Sequence, residues 1–210
     1  MDLSDLRREF GQKAFPGFRW PDAPFPLISD WLNDAITAGI QEPNAVTLST
    51  CGNDKVVSSR TVLIKEFSEK EGFIFYTHYH SRKGRALEEN PHASLLFYWR
   101  AQERQISIEG TVQKVAAEKS DQYFYSRPLE SRISAAVSAQ SEILDDFPTL
   151  IKRWEALKNS GKEIRRPENW GGYRLVANSI SFWQGGPHRL HERMVYQNMG
   201  THWSKHRLFP

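Results

Sequence analysis

The chain has 210 residues, 39% hydrophobic and 25% charged, with a formal net charge of +3 and a pI near 9.0. That is the composition of one soluble globular domain long enough to bury a substantial core. No apolar run approaches the roughly 20 residues of a membrane helix, and the cations are interspersed with acids, so small anionic ligands suit the chain better than a nucleic acid. The lone Cys51 excludes an intrachain disulfide, and the start MDLSDLRREF lacks the apolar stretch of a secretory signal; the cytoplasm is the expected location.

Residues 1–24 are polar and Pro-punctuated, an expected mobile segment with a helical turn over 3–10. Leu27, Ile28, Trp31, Leu32, Ala35 and Ile36 recur at helical spacing, predicting an amphipathic helix over 25–40. Ala45–Cys51 reads as a strand, 52–54 as a turn and 56–65 as its hairpin partner. Within 60–84, a polar turn over 68–72 leads to a second strand over 73–77, and Ser81 then caps a helix over 82–90 that Pro91 ends. The apolar run 93–99 predicts a strand buried on both faces, and 103–115 alternates with a period of two. Short helices are expected over 116–127 and 131–139, parted by Pro128, and a longer one over 141–160, stopped by Gly161. Its apolar side would carry Phe147, Leu150, Ile151, Trp154 and Leu157. After a charged loop over 162–169, strands return over 170–177, 179–184 and 193–197. The pattern predicts an α+β, mainly antiparallel barrel with flanking helices, a single domain over 1–210 with a helical insertion at 116–160.

Three groups of polar residues suggest chemistry. Ser81, Arg82 and Lys83 at a helix start offer free N–H groups, a hydroxyl and two cations, a good seat for a phosphate. The G-x-x-x-x-G-K-[ST] frame of a nucleotide loop is missing, and taken alone the segment reads more simply as a solvated basic helix start. Tyr123, Arg127 and Ser131 recur at i, i+4 and i+8, a donor set for a phosphate if the helix bends through Pro128, or otherwise a solvated face. Arg189, His191 and Arg193 alternate, so an extended backbone would point all three one way, with the histidine biased to its neutral form; an exposed basic edge strand is the competing account. No metal motif joins His78 to His80 or His188 to His191, and no Gly-x-Ser-x-Gly elbow is present. Phosphate-grade cations without an acid–base pair point to a bound cofactor carrying the hard chemistry.

Seven motifs then stand in one order along the chain: R-x-V-L-x-K at 60–65, F-Y-T-x-x-x-S-R-K at 75–83, E-R-Q-x-x-x-E-G at 103–110, Y-F-x-S-R-P-x-x-S at 123–131, W-G-G-Y-R-L at 170–175, F-W-Q-G-x-x-x-R-L-H-x-R at 182–193 and a terminal R-L-x-P. In that order they resemble the pyridoxamine 5′-phosphate oxidase family. The resemblance implies an FMN-binding split β-barrel, a homodimer with FMN at the subunit interface, and a C-terminal dimerisation and substrate region over 170–210. It implies oxidation of pyridoxine or pyridoxamine 5′-phosphate to pyridoxal 5′-phosphate, with O2 as final acceptor. Carried over by motif, the FMN contacts are Arg60, Thr61, Val62, Leu63, Ile64, Lys65, Tyr76, Thr77, Arg82, Lys83 and Gln105, completed by Gln140, Ser141, Trp183 and Arg193. The substrate would meet Lys65, Tyr123, Arg127 and Ser131 through its phosphate, and Arg189 and His191 as catalytic residues over its ring. Arg7, Arg8, Glu9 and Phe10 resemble a segment that closes over substrate.

The chain also departs from the family pattern. Arg132, Ser134 and Ala136 stand where Gln, Gly and Trp are usual, and 164–167 lacks the hydrophobic-Pro-x-Pro run. These departures leave two other accounts open, a non-catalytic FMN- or pyridoxal-phosphate-binding relative and an oxidase of another substrate. A parity problem remains as well, because Arg60 and Lys65 differ by an odd number and fall on opposite faces of a regular strand.

Overall fold

A computed structural model describes residues 1, 3–5, 9, 10 and 19–210. Arg7 and Arg8, with the middle of the helical turn expected over 3–10, lie outside the described residues. The elements run α1 (Pro24–Thr37), β1 (Ala45–Cys51), β2 (Val57–Leu63), β3 (Glu66–Ser68), β4 (Gly72–His78), α2 (Arg82–Glu89), β5 (His92–Trp99), β6 (Arg104–Lys114), α3 (Ala117–Ser126), α4 (Leu129–Val137), α5 (Phe147–Asn159), β7 (Trp170–Gln184), β8 (Glu192–Asn198) and β9 (Trp203–Arg207). All strand pairs are antiparallel. Among the described residues no helix is long and apolar enough to cross a membrane.

The sheet follows the order β2-β1-β5-β6-β7-β4-β3, with β8 added beside β7 and β9 beside β8. Its two ends, β2 and β3, are consecutive in the chain, so the sheet curls until one bent segment closes it. At the bend the Ile64 N–H donates to the Asn44 carbonyl and the Lys65 N–H to the Ile74 carbonyl, switching the backbone from one neighbour to the other. The strand expected over 56–65 is therefore cut short, and the segment after it changes partner. Residues 60–63 pair with β1, and the short β3 pairs with β4.

β7 is one 15-residue strand rather than two. The break expected near Asn178 is a β-bulge, because Glu109 pairs with Ser179 while the next residue, Gly110, pairs with Ala177. There β7 changes its second neighbour, from β4 before the bulge to β8 after it. The core inside the curl contains Leu48, Phe73, Phe75, Leu95, Phe97, Ile106, Ile108 and Phe182, all 1% exposed or less. α1 plugs one end of it with Leu27, Ile28, Trp31 and Ala35, and the Trp31 and Phe182 rings meet edge to face at 5.2 Å.

Three other expectations are corrected. β5 buries one face only: Leu95, Phe97 and Trp99 point inward, while Tyr98 is 53% exposed. The last helix begins at Phe147, not 141, with Asp146 as cap accepting from the Thr149 N–H at 3.0 Å. Pro148 decides this, since its ring is compatible only with the first turn. Finally β9 forms from the unassigned C-terminal residues. It is an edge strand with little buried surface, so it carries no alternation to read.

Candidate active site

An open cleft of about 990 Å³ lies where the end of β2, the end of β4, the start of α2 and the α3–α4 junction converge. The start of α2 is built as its sequence dictates. The Ser81 hydroxyl accepts from the Gly84 N–H at 3.3 Å and donates to the His78 carbonyl at 2.7 Å. Gly84 is required there, because a Cβ would lie 1.9 Å from the Tyr79 carbonyl oxygen. This tight junction aims Arg82 and Lys83 at the cleft. Lys83 is buried, and its ammonium donates to Gln140 Oε1 at 2.8 Å and Thr77 Oγ1 at 3.1 Å. Thr77 Oγ1 also donates to Gln140 Oε1 at 3.0 Å, so the 140–141 loop is tied to β4, with Ser141 held at a φ of 77°.

Arg60 enters from β2, bonded through its guanidinium to Ser58 Oγ, Thr50 Oγ1 and the Leu48 carbonyl. Lys65 reaches the same cleft because β2 ends at Leu63 and the bend that follows resets the alternation, which resolves the parity problem. On the far wall Tyr76, Tyr123 and Trp170 stack nearly parallel, with Tyr76 and Tyr123 centroids 3.8 Å apart. The Arg127 guanidinium lies 4.8 Å over the Trp170 ring. A break between α3 and α4 at Arg127–Pro128, not one bent helix, brings Tyr123, Arg127 and Ser131 to one wall.

The electrostatics are one-sided. Among the described residues the cleft is lined by Arg60, Lys65, Arg82, Lys83 and Arg127 and by no Asp or Glu. Burial, reinforced by the Arg60 charge, pushes the Lys83 ammonium down to about 8. Burial and Arg82 lower Arg60, and burial lowers Arg127, whose Nη1 is buried without a partner. His78, buried beside Lys83, Arg127 and His80, is pushed down to about 4 and is neutral at pH 7. Tyr76 is pushed up to about 12, chiefly by burial, so its phenol stays protonated. Desolvated cations without counter-charges are an arrangement that a bound dianion completes.

The remaining predicted flavin residues gather elsewhere. Gln105, Trp183 and Arg193 stand in register across β6, β7 and β8 and line a second pocket of about 180 Å³ with Leu96, Ser107 and Pro210. That pocket lies on the outward face of the sheet, opposite the core residues Ile106 and Phe182.

Arg189, His191 and Arg193 do not share an extended strand. Pro187–Arg189 forms a 3-10 turn in which His188 and Arg189 take φ values of 55° and 61°, and β8 begins only at Glu192. Arg189 is exposed, while the His191 ring lies 4.7 Å from Trp183 and 5.3 Å from Phe10. His191 Nδ1 accepts from the Gly186 N–H at 3.1 Å, which leaves Nε2 to carry the proton of the neutral ring. Burial and then Arg189 lower its pKa, with Glu103 opposing.

Of the expected flavin residues, Ile64 alone turns away from both pockets. Its side chain is in the core, and its peptide is bonded on both sides to Asn44. The sequence reading missed Ser58, His78, Ser134 and Trp170 as cleft-lining residues. His78 and Trp170 stand inside or at the start of quoted motifs, and Ser134 is one of the departures from the family pattern; Ser58 belongs to neither.

Comparison with known proteins adds the family. A family model described as pyridoxamine 5′-phosphate oxidase matches residues 32–159, and one described as the pyridoxine 5′-phosphate oxidase C-terminal dimerisation region matches 170–210. A pyridoxine/pyridoxamine 5′-phosphate oxidase of Thermosynechococcus vestitus is 44% identical over 209 residues, 99% of each chain, and one of Burkholderia lata is 46% identical over 212 residues, again 99% of each. Among solved structures, PhzG from Burkholderia lata 383, in complex with tetrahydrophenazine-1-carboxylic acid, superposes with a TM-score of 0.89 at 33% identity over 95% of this chain and 99% of that one. A pyridoxamine 5′-phosphate oxidase-related, FMN-binding protein from Nostoc punctiforme, at 15% identity and a TM-score of 0.73 over 90% of this chain and 98% of that one, shares the fold. The curled antiparallel sheet is thus the FMN-binding split barrel, and the chain belongs to the pyridoxine/pyridoxamine 5′-phosphate oxidase family.

Proposed function

We propose that this protein is an FMN-dependent oxidase converting pyridoxine 5′-phosphate or pyridoxamine 5′-phosphate to pyridoxal 5′-phosphate, working as a homodimer. The observation that carries the reading is the cleft's lining, five cations and no acid among the described residues, with the unpartnered buried Nη1 of Arg127. FMN fits this donor set. Arg60, Arg82 and Lys83 would hold its phosphate, and Thr77, Gln140 and Ser141 would line the ring side, with Lys65 shared between flavin and substrate. Tyr123, Arg127 and Ser131, set apart on the α3–α4 wall, would take the substrate phosphate, so two phosphate seats are available for two phosphorylated molecules.

Bound FMN would supply the redox chemistry, a two-electron oxidation at substrate C4′ with O2 as the final acceptor; with the amine substrate, hydrolysis of the resulting imine would release ammonia. The protein's part is to bind, orient and exclude water. Arg189 and His191 would lie over the substrate ring, His191 offering Nε2–H as a donor. Gln105, Trp183 and Arg193 are in a separate pocket of the same chain, so they would complete the flavin site of the partner subunit, in keeping with the C-terminal region matching a dimerisation model.

A second reading, oxidation of a reduced ring acid without a phosphate, draws on the likeness to PhzG. The Tyr123–Arg127–Ser131 wall favours the first. The test is anaerobic mixing of FMN-loaded protein with pyridoxine 5′-phosphate. Bleaching of the yellow flavin band that returns on admitting air supports the assignment. Flavin that stays bound and unbleached overturns it in favour of a binding protein or another reductant.

A further inference from the structure

Beneath the turn that carries Arg189 and His191 lies a buried polar chain that the proposed reaction does not itself employ. It starts at Asp34 on α1, whose carboxylate pairs with Arg104 Nη1 at 2.7 Å. The Arg104 side chain is 6% exposed and lies 4.7 Å over the Trp31 ring. Its Nε donates to Gln184 Oε1 at 2.9 Å, which fixes the orientation of the Gln184 amide, itself 2% exposed. Gln184 Nε2 then points at the carbonyls of Glu103, Gln102 and Gly185 at 3.2, 3.3 and 3.5 Å. The Gly185 N–H closes the same knot by donating to the Glu103 carbonyl at 2.7 Å. The next peptide N–H, of Gly186, is the one that His191 Nδ1 accepts from.

We infer that Gln184 is a positioning residue, which through the Asp34–Arg104 pair on one side and the Gly185–Gly186 turn on the other sets the tautomer and pose of His191. This rests on the proposed role of His191 at the substrate. The turn has no slack of its own. A Cβ at Gly186 would lie 2.2 Å from the Leu190 carbonyl oxygen, and one at Gly185 would lie 2.9 Å from the Glu103 Cβ. His188 and Arg189, both in the left-handed region, need the surrounding structure to hold them there. Apolar residues of similar size would fill this volume at no greater cost to stability than a buried ion pair and amide. What they would not supply is a pair of N–H donors facing the carbonyls that flank the turn. A small displacement of a group over the reacting carbon is costly in rate, with ~1 Å worth about a hundredfold.

The informative variant is Gln184→Glu. It keeps the volume and an acceptor for Arg104 but removes both N–H donors. In the FMN-loaded dimer the expected result is unchanged FMN affinity, a fall of about tenfold in kcat with pyridoxine 5′-phosphate, and a smaller change in KM. In ¹⁵N spectra of the imidazoles, His191 of the wild-type protein should show an unprotonated Nδ1 and a protonated Nε2, and the variant a mixture of tautomers. That spectrum is read without substrate, so it tests the positioning role even if pyridoxine 5′-phosphate is not turned over. A wild-type tautomer pattern in the variant overturns the inference, as does a loss of FMN affinity matching the loss of rate. Asp34→Ala, at the exposed end of the chain, serves where Gln184→Glu does not fold. It should move the His191 spectrum the same way by a smaller amount, and an unmoved spectrum overturns the inference.

Discussion

Replacing Lys83 by Met should make the flavin-free protein more stable while weakening FMN binding. The ammonium is 7% exposed, and its pKa falls from 10.5 to about 8 on folding, because burial and Arg60 both disfavour the charge. At 1.36 kcal/mol per unit, keeping it charged at pH 7 costs the folded state about 3 kcal/mol. Met removes that cost, keeps an apolar stem in place and gives up the hydrogen bonds to Thr77 Oγ1 and Gln140 Oε1, worth about 1 kcal/mol each. Thr77 still donates to Gln140, so a net gain of about 1–2 kcal/mol is expected, or roughly 3–6 °C in Tm at this size. The sign with pH follows. Because the folded pKa lies below the unfolded one, the unfolded state binds more protons between pH 8 and 10.5, and wild-type stability rises over that window. The advantage of the variant should therefore be full below pH 8 and shrink towards pH 10.5. FMN affinity should fall by about 10- to 100-fold, one charge-assisted phosphate contact of about 1.5–3 kcal/mol. Urea unfolding of flavin-free protein across that pH range, together with quenching of FMN fluorescence on binding, measures both. A variant that is destabilised by more than about 1 kcal/mol, or that binds FMN like the wild type, would refute the reasoning.

Arg127→Leu should raise KM for pyridoxine 5′-phosphate by about 10- to 100-fold with the flavin retained. Because it removes a guanidinium with an unpartnered buried nitrogen, it should not lower Tm; colourless purified protein would contradict the assignment. Gly84→Ala should cost about 1–3 kcal/mol by overpacking against the Tyr79 carbonyl and release FMN by shifting Arg82 and Lys83, so wild-type Tm and flavin content would exclude a role for this tight junction. Ser134 Oγ accepts from the Trp154 indole N–H at 3.0 Å, tying α4 to α5. Ser134→Ala and Trp154→Phe should each cost about 0.5–1 kcal/mol, and the double variant little more than either alone; full additivity in denaturant unfolding would show that the bond contributes nothing.

Much of this molecule was legible from local rules. The β1–β2 hairpin, the Ser81 cap, the alternation of β6 and the break at Pro128 each follow from interactions within a few residues, and all four stand where the spacing put them. The order of seven motifs carried the family. The bulge at Asn178 was visible as an interruption but not as a bulge, since only the pairing with Glu109 and Gly110 shows that the strand continues. β9 left no signal, because an edge strand with solvent on most of its side chains has no periodicity to impose.

Tertiary structure decided the rest, through contacts between residues far apart in the chain. Residue type and helix starts are local properties, so the positions of the cations and the opening of α2 on Arg82 and Lys83 were legible in the chain alone. The sequence by itself did not determine that Lys65 joins Arg60, which depends on the closing bend handing the backbone from Asn44 to Ile74. Nor did it separate Gln105, Trp183 and Arg193 from the cleft, which depends on the register of three strands on the outer face of the sheet. The same holds for the path from Asp34 through Arg104 to Gln184. Those residues lie 70 and 80 positions apart, and only the closure of the barrel over α1 brings their polar groups into one line.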